Sequence, residues 1–195
     1  MARTSLAVTR PADRRAEILE AAGRLFAERG FHVTSTRDIC VAVGMSAGNL
    51  YHWFPSKQAI IAELLRADAA THLARIDALG DIEDLNASAP DAILGFVGAA
   101  TTDEVSRLLE GYATVLIDPE LAPIVRGTDA ATRERLASLV AGAGAADPDA
   151  VAVVLVALVD GLLARRALEP GRDLAALRPA IAAVTQALFA PQPPR

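Results

Sequence analysis

The stretch Gly44-Met45-Ser46-Ala47-Gly48 matches G-x-S-x-G, the spacing that sets a serine nucleophile on the sharp strand-to-helix turn of an α/β-hydrolase. That chemistry requires an acid and then a histidine further along the chain. The later histidines are His52 and His72, and nothing beyond position 72 can act as the base. The residues leading into Gly44, TRDICVAV, are capped and spaced as a helix, whereas a nucleophile elbow needs a buried strand there. Ser46 therefore reads as a helix cap, and the chain reads as a non-enzyme, with a serine hydrolase using Ser46 as the distant alternative. The single Cys40 cannot pair within its own chain, and no Cys/His cluster has zinc spacing. No metal and no cofactor are expected.

The elements that position Ser46 follow from local signals. Ile18, Leu19, Ala22, Leu25 and Phe26 recur at three- and four-residue steps, which predicts an amphipathic helix from Asp13 to Arg29 that Gly30 ends. Ser35 and Asp38 form a capping box opening a short second helix to about Val43. Gly44 stands where positive φ would close that helix, and Ser46 caps a third running to about Phe54. Pro55 stops it, Ser56 caps a fourth, and an apolar stripe carries that one toward Leu79. The segment from Gly80 to Pro90 is polar and turn-rich and reads as a loop near a domain join. Further helices are expected from about Asp91, behind a Thr101–Glu104 capping box, and from Asp118-Pro119 with bends at Pro123 and Gly127. The last two should run from Asp147-Pro148 to Leu168 and from Asp173 to Phe189. The pattern predicts an all-α chain of about nine helices.

Charge and aromatic residues divide the chain unevenly. Residues 1–66 hold nine Arg/Lys against six Asp/Glu, while residues 67–195 hold ten against eighteen, giving +3 and −8 within a net charge of −5. Five of the eight aromatic residues lie between positions 26 and 54. Such asymmetry suits a basic, compact N-terminal head facing nucleic acid. Two short helices joined by a glycine turn can set the second into the DNA major groove, with Arg3, Arg10, Arg14, Arg15, Arg37 and Lys57 along a phosphate track. The N-terminus lacks the apolar segment of a secretory signal, and the longest apolar run, Ala150 to Val159, is shorter than the roughly 18 residues a membrane span needs. A cytoplasmic protein without a membrane partner is expected.

The run ILEAAGRLFAERGF followed by TSTRDICVAVGMSAGNLYHWFPSKQAIIAEL resembles the DNA-binding region of the TetR family of transcriptional regulators. Its most specific part, GMSAGNLYHWFPSK, departs from the family run at Trp53, where histidine is frequent, and Cys40 stands earlier where alanine is usual. The resemblance implies a helix-turn-helix DNA-binding domain over residues 1–55 and a helical effector-binding and dimerisation domain over 56–190, connected by the fourth helix at 56–79. Residues 191–195 are expected to be a disordered tail. Position by position, it implies that Thr36 and Arg37 open the second helix toward DNA. Ser46, Ala47, Gly48 and Asn49 form the leading edge of the recognition helix, and Tyr51, His52 and Lys57 meet phosphates or groove edges. Leu50 and Phe54 should pack inward.

The implied partners are double-stranded palindromic operator DNA, a second copy of the chain and an unknown small organic effector. The dimer would form through helices at about 148–168 and 173–189, the first of which is apolar nearly all round. An effector would bind among the helices at about 56–78, 90–117 and 119–140, where Tyr112, Glu110, Arg107 and His72 either offer polar contacts or serve as ordinary surface or core residues, so no ligand-binding residue is assigned. The function expected is a ligand-released repressor, with a DNA-binding regulator lacking a small-molecule effector as the alternative.

Overall fold

A computed structural model describes residues 11–190. Nine α-helices occupy them: α1 (Pro11–Arg29), α2 (Thr36–Val43), α3 (Ala47–Trp53), α4 (Lys57–Asp77), α5 (Leu85–Ala99), α6 (Thr102–Thr114), α7 (Ala122–Gly142), α8 (Pro148–Leu168) and α9 (Arg178–Phe189). No strand occurs among the described residues. The predicted tail at 191–195 and the cations Arg3 and Arg10 lie outside them.

Two compact units divide the chain between Leu64 and Leu65. This boundary falls inside α4, some way past the expected one at residue 55, because the first turns of α4 bury Ile60, Ile61 and Leu64 in the first unit. That unit closes around Ile18, Phe26, Ile39, Leu50 and Phe54, each at most 1% exposed, with Phe26 and Phe31 edge-to-face at 5.3 Å. Burial of large side chains of this kind contributes about 1.5–3 kcal/mol each. Thr34, a buried polar residue in that core, donates its hydroxyl to the carbonyls of Leu25 and Gly30.

The second unit buries Ile93, Val97, Val105, Val140, Leu155 and Ile181. Its helix boundaries differ from the sequence reading at three places. The expected loop at Gly80–Pro90 is mostly helical: a 3-10 turn covers Ala78–Asp81, and α5 begins at Leu85 rather than Asp91. Asp84 caps α5 by accepting from the backbone N–H of Ala87 at 3.0 Å, and Pro90 sits inside the helix. Pro90 removes only one intrahelical donor, and its ring is buried, so the helix continues through a residue that ordinarily breaks it. At its other end the carbonyls of Val97 and Ala100 accept from Arg166 at 2.6 and 2.5 Å, a cap supplied from 69 and 66 residues away.

α7 starts at Ala122, not at Asp118-Pro119; Asp118 instead closes the preceding turn by accepting from the N–H groups of Glu120 and Leu121. Pro123 then falls in the first turn of α7, where its missing donor costs nothing, so it starts the helix instead of bending it. Gly144, with φ 89°, closes α7. The last segment is a 3-10 turn at Ala175–Leu177 followed by α9, whose start Pro179 fixes from inside its first turn.

Candidate functional site

Around Gly44 the backbone follows the local chemistry closely. Ser35 Oγ accepts from the Asp38 backbone N–H at 3.2 Å, and Asp38 Oδ2 accepts from the Ser35 N–H at 2.8 Å. The Ser35 hydroxyl also donates to Asp38 Oδ2 at 2.5 Å, and this bond together with the one from the Ser35 N–H holds the Asp38 carboxyl below its ordinary value, which favours the charged form that a helix N-terminus attracts. Gly44 has φ 64°, and the N–H of Met45 bonds back to the Cys40 carbonyl at 3.0 Å, so α2 ends in a left-handed cap open to glycine. Ser46 then accepts from the Asn49 N–H at 3.3 Å and begins α3. A helix, not a strand, enters this turn, and the Ser46 oxygen serves the backbone.

The consequence is a sorted α3. Leu50 and Phe54 are each 1% exposed, while Tyr51 is 50% exposed and Ser46, Ala47, Gly48, Asn49 and His52 stand in solvent. Arg37 is exposed and Thr36 half-buried at the start of α2, beside a shallow hollow that both line together with Val41 and Gly44–Ala47. Cys40 is 7% exposed and packs as a small core residue. Around Gly48 nothing lies within 4 Å of where a Cβ would stand, so its outer face is open backbone.

Three cations of the expected phosphate track have partners within the unit. Arg15 keeps part of its side chain exposed, but its guanidinium lies over the Phe54 ring at 4.2 Å, donates to the Trp53 carbonyl at 2.9 Å and forks onto Glu63. A planar guanidinium with five donors fits ring, carbonyl and carboxylate at once, which makes Arg15 a brace of the unit. Arg14 is half engaged, pairing with Glu17 and donating to the Val43 carbonyl at 3.1 Å. Lys57 donates from Nζ to the carbonyls of Phe31 and Thr34 at 2.8 and 3.0 Å, tying the loop before α2 to the first turn of α4. The sequence signal for this was the lone lysine among eighteen arginines. A compact ammonium suits two converging carbonyls better than a guanidinium does. Trp53, the family departure, is half-buried, stacks edge-on with His52 at 5.5 Å and finds no partner for its Nε1–H among the described residues.

The second unit contains a cavity of about 180 Å3 whose wall is mostly hydrocarbon from α4 to α8. Tyr112, Arg107 and His72 line it and Glu110 does not, and α8 contributes Leu155, Val159 and Asp160. Tyr112 donates to Asp160 Oδ2 at 2.8 Å across 48 residues. Burial, and then the neighbouring Asp160, push the Tyr112 hydroxyl up, so it stays a donor at neutral pH. Burial also raises the Asp160 carboxyl, with Asp129 adding to the effect against the Tyr112 hydrogen bond.

The sequence matches two family models, bacterial regulatory proteins of the tetR family over residues 18–64 and the C-terminal domain of BetI-type transcriptional repressors over residues 92–190. Similar proteins include the HTH-type transcriptional repressor KstR2 of Rhodococcus jostii, 51% identical over 53 residues, which are 27% of this chain and 26% of that protein. The HTH-type transcriptional regulator UidR of Escherichia coli is 44% identical over 61 residues, 31% of each chain. Both matches thus span less than a third of the relatives' length. Salmonella enterica GusR superposes with a TM-score of 0.79 at 26% identity, covering 93% of this chain and 98% of that one. The capped turn, the sorted third helix and the two matching models, the second covering half the sequence, agree: this chain belongs to the tetR family of bacterial regulatory proteins.

Proposed function

We propose that the chain is a cytoplasmic, sequence-specific DNA-binding repressor that acts as a homodimer on a palindromic operator and lets go of it when a small molecule fills the second unit. The observation that carries this reading is α3, with Leu50 and Phe54 buried and Asn49, Tyr51 and His52 presented outward from a rigidly capped start. In this reading Thr36 and Arg37 meet the backbone at the start of α2, and Ser46, Ala47 and Gly48 allow close approach. Asn49 reads a base edge, and Tyr51, His52 and the remaining ammonium hydrogen of Lys57 hold phosphates. The Ser46 hydroxyl caps and does not catalyse.

Dimerisation is supported by apolar side chains left outward on α8 and α9: Val153 is 50% exposed, Val154 42% and Val184 41%. Around Gly161 a Cβ would meet nothing within 4 Å, which leaves room for a symmetry mate to approach the α8 backbone. A two-fold dimer presents two copies of α3 to half-sites about one helical turn apart. Effector response is supported by the largely apolar cavity, and an effector must favour the DNA-free geometry, since equal affinity for both shifts nothing.

Selection of bound fragments from a random duplex library, together with sedimentation at micromolar concentration, tests the reading. An inverted repeat and a dimer are expected, and Asn49→Ala should relax preference at one base position of each half-site. Recovery of unrelated fragments, or a monomer, would overturn it.

A further inference from the structure

The cavity has a charge balance that narrows what it can hold. Two of its acids are matched by its two arginines: Arg107 donates to both oxygens of Asp68 at 2.7 and 2.9 Å, and Arg75 donates to Glu104 at 2.9 Å. Both guanidinium groups on the wall are thereby committed to carboxylates. His72 faces Thr132 Oγ1 at 3.0 Å, and burial, then Arg75, depress its pKa, so it stands neutral at neutral pH. Asp129 pairs with Arg133 one turn along α7 at 3.0 Å. Asp160 is the remaining acid. It accepts from the Tyr112 hydroxyl, and among the described residues it makes no ion pair.

A carboxylate set into a hydrocarbon wall with one neutral donor is poorly compensated, and an asparagine would accept from Tyr112 with a smaller desolvation penalty. A carboxylate or phosphate ligand would add negative charge where both cations are already taken. A neutral ligand would deepen the burial of Asp160 without pairing it. A cation compensates it, and the same wall carries the aromatic rings of Tyr112 and Phe96, a residue type whose ring face attracts positive charge. The volume of about 180 Å3 suits a small organic body, since an apolar void of about 150 Å3 already accepts benzene.

We propose that the cavity is a site for a small lipophilic ammonium ion, its charged nitrogen paired with Asp160 beside the Tyr112 hydroxyl and its hydrocarbon body against the apolar wall. This deepens, and rests on, the reading of the second unit as an effector domain.

The test is calorimetric titration of the full-length protein with three probes of matched size: 2-phenylethylammonium, 2-phenylethanol and 3-phenylpropionate. The ammonium should bind at least about tenfold tighter than the alcohol, the gain of a charge-assisted hydrogen bond, and the propionate most weakly. Asp160→Asn should bring ammonium and alcohol within about threefold of each other, a loss of the same charge-assisted bond. Asp129→Asn, whose carboxylate is already paired, should keep most of the preference. Thermal melting checks both variants for folding, and Asp160→Asn should melt no lower than the parent chain. Tightest binding by the alcohol or the propionate, equal loss of preference in both variants, or no binding by any probe at millimolar concentration would overturn the proposal. None of these results touches operator selection, which needs no ligand, so failure of the ligand class and failure of the regulator reading are separable.

Discussion

The first unit is closed and the second is hollow. In the first, large side chains such as Phe26, Phe54 and Ile39 are essentially fully buried, and the Thr34 hydroxyl is satisfied by nearby carbonyls, with the Trp53 Nε1–H the buried donor left over among the described residues. The second keeps a cavity of about 180 Å3, a half-buried neutral histidine and, among the described residues, a carboxylate without a counter-ion. Voids and uncompensated charges both lower stability. The difference suits two tasks. A head that reads DNA needs α3 held in one geometry, whereas a unit that receives a ligand needs groups whose deficit the ligand can make good.

The sharpest way to break this comparison is a pair of matched truncations. Phe26→Ala should cost about 3–5 kcal/mol, as expected for a closed core, while Phe96→Ala on the cavity wall should cost less than about 3 kcal/mol because an adjacent void already exists. Equal losses in denaturant titration would mean the cavity is not a distinct weak point. Next in size is Lys57→Ala, which leaves the Phe31 and Thr34 carbonyls without their ammonium donor and should destabilise the chain by about 1–3 kcal/mol. Its DNA affinity should also show a salt slope smaller by about 1. An unchanged slope would confine Lys57 to bracing the loop.

Ser46→Ala should lower stability by about 1 kcal/mol through loss of the α3 cap, with a matching fall in DNA affinity. No change in either would show that α3 is held by its burial alone. The smallest expected effect has the opposite sign. The folded chain keeps the Asp160 proton to higher pH than the ordinary carboxylate value of 3.8 allows in the unfolded chain. The contribution of this group is therefore full below that value and is lost as pH rises through the raised folded value. Asp160→Asn removes the loss, so the Tm difference between variant and parent should grow with rising pH across that window. Each 1 kcal/mol corresponds to about 2–4 °C in a chain of this size. A Tm difference independent of pH would show that Asp160 is not perturbed by its surroundings.

How far the sequence carried depended on the range of the interactions. The capping boxes at Ser35–Asp38 and Thr101–Glu104, the left-handed Gly44 and the Ser46 cap are all legible because each is a hydrogen bond or dihedral settled within about four residues. The start of α5 was not legible: its polar opening and Pro90 read as loop, and only burial of that proline in the second unit's core explains why the helix continues. Likewise Pro123 rather than Pro119 starts α7, because position relative to the helix start, not the presence of a proline, decides which one initiates.

The site divides along the same line. The outward set on α3 was readable from the alternation around Leu50 and Phe54. Arg15 looked like one more phosphate ligand, since nothing local announces Glu63 or the Phe54 ring as its partners.

By itself, then, the sequence determined where helices begin and end around the turn, which face of α3 is free and which family the head resembles. Those properties are set by neighbours along the chain. Only the tertiary structure decided that Lys57 clamps two carbonyls, that Arg166 caps α5 and that Asp160 lies unpaired beside Tyr112 in a hollow wall. Desolvation and charge balance depend on groups brought together from 23 to 69 positions apart, and no local pattern of letters records what water has been excluded.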